Sequence, residues 1–492
     1  MFESAELGHA IAKAVYKKEA PKLREALLDA QYDLKERGEF PVIILISGVD
    51  GAGKGETVNL LNEWMDPRLI QSRTFSAATD EERDRPQMWR FWRALPPKGR
   101  VGILFGSWYT EPISDRVHGF IKTPELDQSI DQIKRLEKML VDEGALLLKF
   151  WFHLSRDQQR HRLKTLEKNP KTRWRVTEAD WRAYEQYDEY RHWSEHTLQE
   201  TSTGEAPWVI VEGKDPAYRS LTVGKVVLAG IRSRLDREPS APKAPEAAPM
   251  LASIDNVQII DRLDLTATLE KSQYKAELEA WQGRLNLLFR EKKFKDRNVI
   301  AVFEGNDAAG KGGSIRRVTQ ALDARSYDII PVAAPTEDER NQPYLWRFWR
   351  HMPAKSHMTI FDRSWYGRVL VERVEGYCSE FDWVRAYGEI NDFETQLSKH
   401  GTIVVKFWLA ISQDEQLRRF EAREKIGYKR FKITDDDWRN RKKWPDYVRA
   451  VSDMVERTST VTAPWTLVAA NDKYHARIEI LRTLTKAIEK AL

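Results

Sequence analysis

The sequence predicts two tandem three-layer α/β/α domains, each built on a parallel sheet, and three observations carry that prediction. A long internal repeat runs at constant spacing, short apolar runs alternate with helical patterns, and a glycine-rich strand-to-helix turn recurs at the same place in each copy. SGVDGAGKG opens its glycine core at Gly48 and EGNDAAGKG opens its own at Gly305, an offset of 257 residues. The same offset carries Pro86, Trp89, Arg90, Phe91, Trp92 and Arg93 onto Pro343, Trp346, Arg347, Phe348, Trp349 and Arg350. It also carries Ser107-Trp108-Tyr109 onto Ser364-Trp365-Tyr366, Lys149-Phe150-Trp151 onto Lys406-Phe407-Trp408 and Ala206-Pro207-Trp208 onto Ala463-Pro464-Trp465. No gap is needed between Gly48 and Trp208, and about a third of those aligned positions are identical, so the chain is two copies of one domain. The join is DREPSAPKAPEAAPM, residues 236–250, whose four prolines and four alanines read as a semi-rigid linker. Domains are therefore expected at 1–235 and 251–492.

Taken in order through the second copy, LTATLEKSQYKAELEAWQGRLNLLFREKK reads as a helix preceding the strand NVIAVFEG. KGGSIRRVTQALD follows as a helix, then the strand-like runs YDIIPVAA and HMTIFD, the helix WVRAYGEINDFETQLSKHG, and the runs TIVVKFWLAI and WTLVAA. YHARIEILRTLTKAIEKAL closes the domain as a helix. Short β-branched runs separated by enough chain for a helix read as buried parallel strands, and ligands of such sheets bind outside the carboxyl ends of the strands.

Composition excludes several classes. The chain has 492 residues, 41% hydrophobic and 32% charged, and 80 Lys+Arg against 75 Asp+Glu leave a net charge of only +5. Two sizeable cores are affordable, and no basic tail is available to coat nucleic acid. Cys378 is the single cysteine, the amino-terminal MFESAELGHAIAKAV lacks the apolar run of a signal peptide, and no stretch approaches the ~20 apolar residues that span a bilayer. A reduced, cytoplasmic protein with no membrane partner is expected.

GNDAAGKG follows a strand and opens a helix, the context in which a GxxxxGK string becomes a phosphate loop. Backbone N–H groups along Gly305, Ala308, Ala309, Gly310, Gly312 and Gly313 are expected to bind substrate phosphates, with the helix N-terminus and the Lys311 ammonium adding positive charge. Lys54 is the counterpart of Lys311. One departure matters: the hydroxyl residue that usually follows the lysine and ligates Mg²⁺ is Gly312, and Gly55 in the first copy. An acid inside each loop, Asp307 or Asp50, is unusual beside phosphate unless a cation lies between, so Asp307 is expected to replace the hydroxyl as a metal ligand. An Asx-turn role is the bland alternative. HMTIFDRSWYGR delivers Asp362 to a strand end as the second metal-ligand candidate, with Arg363 and Arg368 behind it. Two carboxylates, Mg²⁺ and two guanidiniums make a phosphoryl-transfer site, where catalysis is mostly positioning and charge neutralisation.

Beyond the fourth strand, Arg418, Arg419, Arg423, Lys425, Lys429, Arg430 and Lys432 put seven cations within fifteen residues, where kinases of this architecture place a helical lid. Such density suits a phosphate chain; the alternative is a solvated helix paired with Glu415, Glu421 and Glu424. Arg340, Arg347 and Arg350 are further phosphate candidates. The aromatic cluster Trp346 to Trp349 with Trp365-Tyr366 reads as core before it reads as a base-stacking platform.

GNDAAGKG, PYLWRFWRHMP, FDRSWYGRVLVERVEG and the Trp438–Tyr447 segment together closely resemble the family-2 polyphosphate kinases, over essentially both halves. The resemblance implies P-loop kinase-like domains with helical lids, and two fused copies look like the polyphosphate:AMP phosphotransferase class of that family. It further implies Mg²⁺-dependent transfer of a terminal phosphate from inorganic polyphosphate to AMP, giving ADP. The matching site residues are Asp307, Lys311, Asp362, Arg363 and Arg368, with Arg419, Arg423 and Lys432 as lid candidates. The first copy departs: Asp362, Arg363, Arg368 and Arg423 become Phe105, Gly106, Glu111 and Leu166. Losing those groups together should cost several kcal/mol of transition-state stabilisation, so the first domain is expected to be silent. A homodimer of tandem chains is expected, since single-domain relatives assemble as oligomers. Two rival functions remain on sequence alone: an ATP-dependent nucleoside monophosphate kinase and a non-catalytic nucleotide-binding scaffold.

Overall fold

A computed structural model describes residues 1–237, 258–425 and 433–492. Linker residues 238–250 and the lid candidates Lys429, Arg430 and Lys432 lie outside the described residues. The chain divides into two units, each with its own sheet. The first comprises Met1–Ala78, Arg90–Ser240 and Pro335–Arg347; the second comprises Thr79–Trp89, Ala241–Ala334 and Phe348–Leu492.

Among the described residues ten strands form: β1 Val42–Gly48, β2 Ile70–Thr74, β3 Val101–Phe105, β4 Leu146–His153, β5 Trp208–Glu212, β6 Asn298–Gly305, β7 Tyr327–Pro331, β8 Met358–Asp362, β9 Thr402–Ala410 and β10 Trp465–Ala469. The first unit orders its five strands β2-β3-β1-β4-β5 and the second orders its own β7-β8-β6-β9-β10, the same topology, with every pairing parallel. The strand-rich runs read from sequence are all present, and they run nearly continuously apolar because helices cover both faces. Val299, Ile300, Ala301, Val302 and Phe303 are fully buried. One expectation is corrected: YDIIPVAA forms β7, but Asp328, Ile329 and Pro331 are exposed, because β7 is an edge strand with a neighbour on one side only.

The central strand of each sheet lies between the third and fourth strands of its unit: β1 between β3 and β4, and β6 between β8 and β9. Strand order reverses there, which opens a crevice beyond the carboxyl ends. The phosphate loops lie on that edge. Gly305 must be glycine: its φ is 150° and an added Cβ would lie 2.4 Å from the Leu409 carbonyl oxygen of β9.

Under each loop lies a buried polar cluster that anchors the following segment. Lys406 Nζ donates to Glu394 Oε2 at 2.7 Å and to the Thr458 carbonyl at 2.8 Å, while Tyr366 Oη and Trp365 Nε1 donate to Glu394 Oε1 at 2.6 and 3.1 Å. Lys149, Glu137, Tyr109 and Trp108 repeat the arrangement in the first unit. Trp365 and Tyr366 are fully buried, so they belong to the core, and their packing fixes the chain just after Asp362 and Arg363.

Candidate active site

In the second unit β6 delivers Glu304 and Gly305 to the sheet edge, and the helix Lys311–Thr319 starts from Gly310, whose φ of 107° makes the turn. Lys311 Nζ folds back to donate to the carbonyls of Gly305 at 2.7 Å and Asn306 at 3.3 Å. Asp307 is held from three directions. Its Oδ1 accepts from Arg363 Nη2 at 3.0 Å, its Oδ2 from Asn440 Nδ2 at 2.8 Å, and its carbonyl from Gln416 Nε2 at 3.1 Å. Tyr447 Oη in turn donates to Asn440 Oδ1 at 3.1 Å, so the helices Asp435–Lys442 and Trp444–Thr458 reach the loop through Asn440.

Charges of both signs crowd this edge. Glu304 is buried and accepts from Ser364 Oγ at 2.8 Å. Burial raises its carboxyl pKa, aided by Asp362 and opposed by Lys311, Ser364 and Arg363. The Lys311 ammonium is pushed down by burial and by Arg363, against the pull of Asp307, Asp362 and Glu304. Burial works against the Arg363 charge, yet Asp307, Glu304 and Asp362 hold its pKa above the ordinary value. A cavity of 70 Å³ lies among Glu304, Asp307, Arg363, Trp408, Asn440 and Tyr447. The arrangement can grip phosphate oxygens with Lys311 and Arg363 and offers the carboxylates Asp307 and Asp362 to a hard cation.

Backbone geometry marks the same two segments. Ala308 has φ 64° and Arg363 has φ 65°, left-handed values that L-residues rarely adopt, while their counterparts Gly51 and Gly106 have φ 80° and 71°. The turn is thus inherited by both copies, but the second copy places a side chain where glycine would sit without strain.

Asp307, Lys311, Asp362 and Arg363 therefore come together, and Arg423 feels the charges of Asp437 and Asp307 from the lid helix Gln413–Glu424. The other candidates have different surroundings. Arg419 donates to the carbonyls of Ala308, Ala309, Ala470 and Asn471 and pairs with Glu415, which also pairs with Arg418. It braces the loop from behind. Arg368 pairs with Glu372 at 2.9 Å and Arg347 with Glu339 at 3.3 Å; neither lines the cavity. Arg347 belongs to the stretch grouped with the first unit. Lys432 lies outside the described residues.

Glu304 and Asn440 escaped sequence reasoning. A signal was available, since the constant offset turns them into Ser47 and Ala183 in the copy that also lacks Asp362 and Arg363. In that first unit Lys54 Nζ still donates to the Gly48 carbonyl at 2.6 Å and to Asp50 Oδ1 at 3.0 Å. Arg219, from the helix Pro216–Leu235, takes over the bracing that Arg419 performs, donating to the carbonyls of Ala52 and Gly213, the counterparts of Ala309 and Ala470. The loop scaffold, Lys54 and Asp50 are kept, while the positions of Glu304, Asp362 and Arg363 carry no charge.

Comparison with known proteins identifies the family. The family model for polyphosphate kinase 2 (PPK2) matches residues 10–239 and again 268–492. A polyphosphate:AMP phosphotransferase of Pseudomonas aeruginosa is 60% identical over 491 residues, covering 100% of this chain and 99% of that protein. One from Acinetobacter johnsonii is 37% identical over 494 residues, covering 97% and 98%. A solved Pseudomonas aeruginosa PA01 chain assigned to polyphosphate kinase 2 superposes with a TM-score of 0.90 at 57% identity, covering 100% of this chain and 99% of that one. With both halves matched and the whole length shared with relatives of this identity, the chain belongs to the polyphosphate kinase 2 family.

Proposed function

We propose that the second unit transfers the terminal phosphate of inorganic polyphosphate to AMP, forming ADP, and that the first unit does not turn over. The chain is a phosphotransferase. The observation that carries the assignment to one unit is the gathering of Lys311, Arg363, Asp307 and Asp362 at one sheet edge, where the first unit has only Lys54 and Asp50 beside Phe105 and Gly106.

An oxygen of the AMP phosphate attacks the terminal phosphorus of polyphosphate, the P–O–P bond breaks, and the shortened chain leaves with the bonding electrons. Lys311 and the loop amides hold one set of phosphates, Arg363 spans the developing charge, and Arg423 adds a cation from the lid. Asp307, fixed by Arg363 and Asn440, orients the attacking phosphate. Mg²⁺ suits the donor set: Asp307 and Asp362 act on the same ammonium and guanidinium, and this ion is commonly held by one or two carboxylates with substrate phosphates completing its shell. When bound there it neutralises charge between the phosphate groups. The reaction exchanges one phosphoanhydride, in polyphosphate, for another, in ADP, so the ratio of polyphosphate and AMP to ADP sets the net direction.

The test is ADP formation from AMP by the full-length protein with Mg²⁺, with long-chain polyphosphate or ATP as sole donor. Rapid ADP from polyphosphate alone is expected. Turnover with ATP only would make the chain an ordinary nucleotide kinase, and none with either donor would leave a binding scaffold.

A further inference from the structure

The first unit, silent in the proposed reaction, holds a cavity whose chemistry differs from that of the second. It measures 240 Å³ and is lined by Ser47, Lys54, Phe105, Thr110, Trp151 and Tyr190 among others. Lys54 is the one charged side chain in that lining, whereas the second unit's cavity presents Glu304, Asp307 and Arg363. The exchange Glu304 to Ser47, Asp362 to Phe105 and Arg363 to Gly106 thus removed two of the three carboxylates and the guanidinium but kept the lysine, Asp50 and the loop.

Two buried polar groups in the lining lack partners. Ser47 Oγ and Trp151 Nε1 make no hydrogen bond, and their residues are 9% and 6% exposed. Such groups are costly unless a ligand or water satisfies them. The Lys54 ammonium has three N–H donors, of which the Gly48 carbonyl and Asp50 Oδ1 take two. The 11-residue helix Lys54–Trp64 points its N-terminus at the same place. A lysine donor, a hydroxyl, an indole N–H and a helix N-terminus suit one phosphate group. Phe75, Phe105, Tyr109, Trp151 and Tyr190 supply aromatic walls for a flat apolar moiety beside it.

We propose that the first unit is a binding site for a nucleoside monophosphate, occupied without a divalent metal. Metal independence follows from the charges present: Asp50, the one loop carboxylate kept, is already held by Lys54 at 3.0 Å, and the lining itself adds no second carboxylate to hold a cation. One cation flanked by aromatic walls fits a single phosphate better than a chain of them. The site is independent of the reaction assigned to the second unit, because it is counted by binding in the absence of turnover.

The experiment is equilibrium dialysis of AMP, and separately of inorganic tripolyphosphate, against the full-length protein in excess EDTA. The parent is compared with Lys54→Met and with Ser47→Glu, which restores a carboxylate at the position of Glu304. Circular dichroism and melting temperature establish that each variant is folded. AMP bound per chain is expected to fall by one equivalent in both variants. Unchanged stoichiometry in a folded Lys54→Met would overturn the proposal, as would a parent site that prefers tripolyphosphate to AMP. Should Lys54→Met fail to fold, Ser47→Glu alone decides in the same way.

Discussion

Arg363→Gly separates the chemistry of the site from the strain that carries it. Arg363 occupies φ 65°, its amide donates to the Phe303 carbonyl at 3.0 Å, and its guanidinium reaches Asp307 at 3.0 Å, while the first copy has Gly106 at φ 71° in the same turn. A left-handed backbone costs an L-residue about 1–2 kcal/mol. Against that relief, glycine loses roughly 0.5–1 kcal/mol through the freedom it gains in the unfolded chain. In the Arg363–Asp307 pair the guanidinium is half exposed and Asp307 only 12% exposed, and discounted for solvent the pair contributes about 0–1 kcal/mol. Stability of Arg363→Gly should therefore stay within about 1 kcal/mol of the parent, a melting shift of no more than ~4 °C for a unit of this size. Arg363→Ala loses the same charge and keeps the strain, so it should be less stable than Arg363→Gly by about 1 kcal/mol. Turnover should fall in both by about 10²–10³, the usual loss when one preorganised donor to a developing oxyanion is removed. The assay is denaturant unfolding of the three proteins beside initial rates of ADP formation. An Arg363→Ala that equals or exceeds Arg363→Gly in stability would refute the strain argument. A rate within tenfold of the parent in either variant would refute the role of the guanidinium.

Other perturbations have equally definite outcomes. Asp362→Asn should lower turnover by orders of magnitude and weaken its dependence on Mg²⁺ concentration; an unchanged rate would remove Asp362 from the metal site. Asn440→Ala frees one oxygen of Asp307 and should reduce turnover about tenfold by disordering a group in the site, with melting temperature nearly unchanged. Because burial raises the Glu304 pKa, the folded protein binds more protons than the unfolded chain above the ordinary carboxyl value of 4.5. Parent stability should therefore fall as pH rises from that value through the folded pKa, and Glu304→Gln should flatten this slope when melting is followed against pH. Lys406→Met leaves the buried Glu394 without its counter-ion and should destabilise the second unit by about 3–5 kcal/mol, with part of the loss recovered in the double variant with Glu394→Gln. Light scattering is expected to report a dimer of two-unit chains, and a clean monomer would remove that assignment.

Much of the fold was legible because the chain states it twice. The offset that aligns Gly48 with Gly305 also aligns the buried Lys149 and Lys406, so one pattern cross-checks the other, and strands buried on both faces announce themselves as apolar runs. Edge strand β7 misled that reading because Tyr327–Pro331 is as β-branched as a central strand although it faces solvent on one side. Asp307, Lys311, Asp362 and Arg363 were visible because a strand end and a loop fix their positions locally. Arg368, Arg347 and Arg419 show why a count of cations is a weaker guide. Each lies in a segment rich in carboxylates or open carbonyls, and partner choice there depends on rotamers that sequence does not encode. Glu304 and Asn440 went unnoticed for the opposite reason: a residue preceding a loop and an amide 133 positions from Asp307 acquire meaning only when the fold joins them.

The most direct test of the account is the rate of ADP formation from AMP and polyphosphate by full-length Lys311→Met, in which the first unit's loop and Lys54 are intact. Loss of turnover to near background, with the protein still folded by circular dichroism, is the predicted result. A rate within tenfold of the parent would contradict the account, because the second unit's phosphate loop would then not be where the transferred phosphate is held.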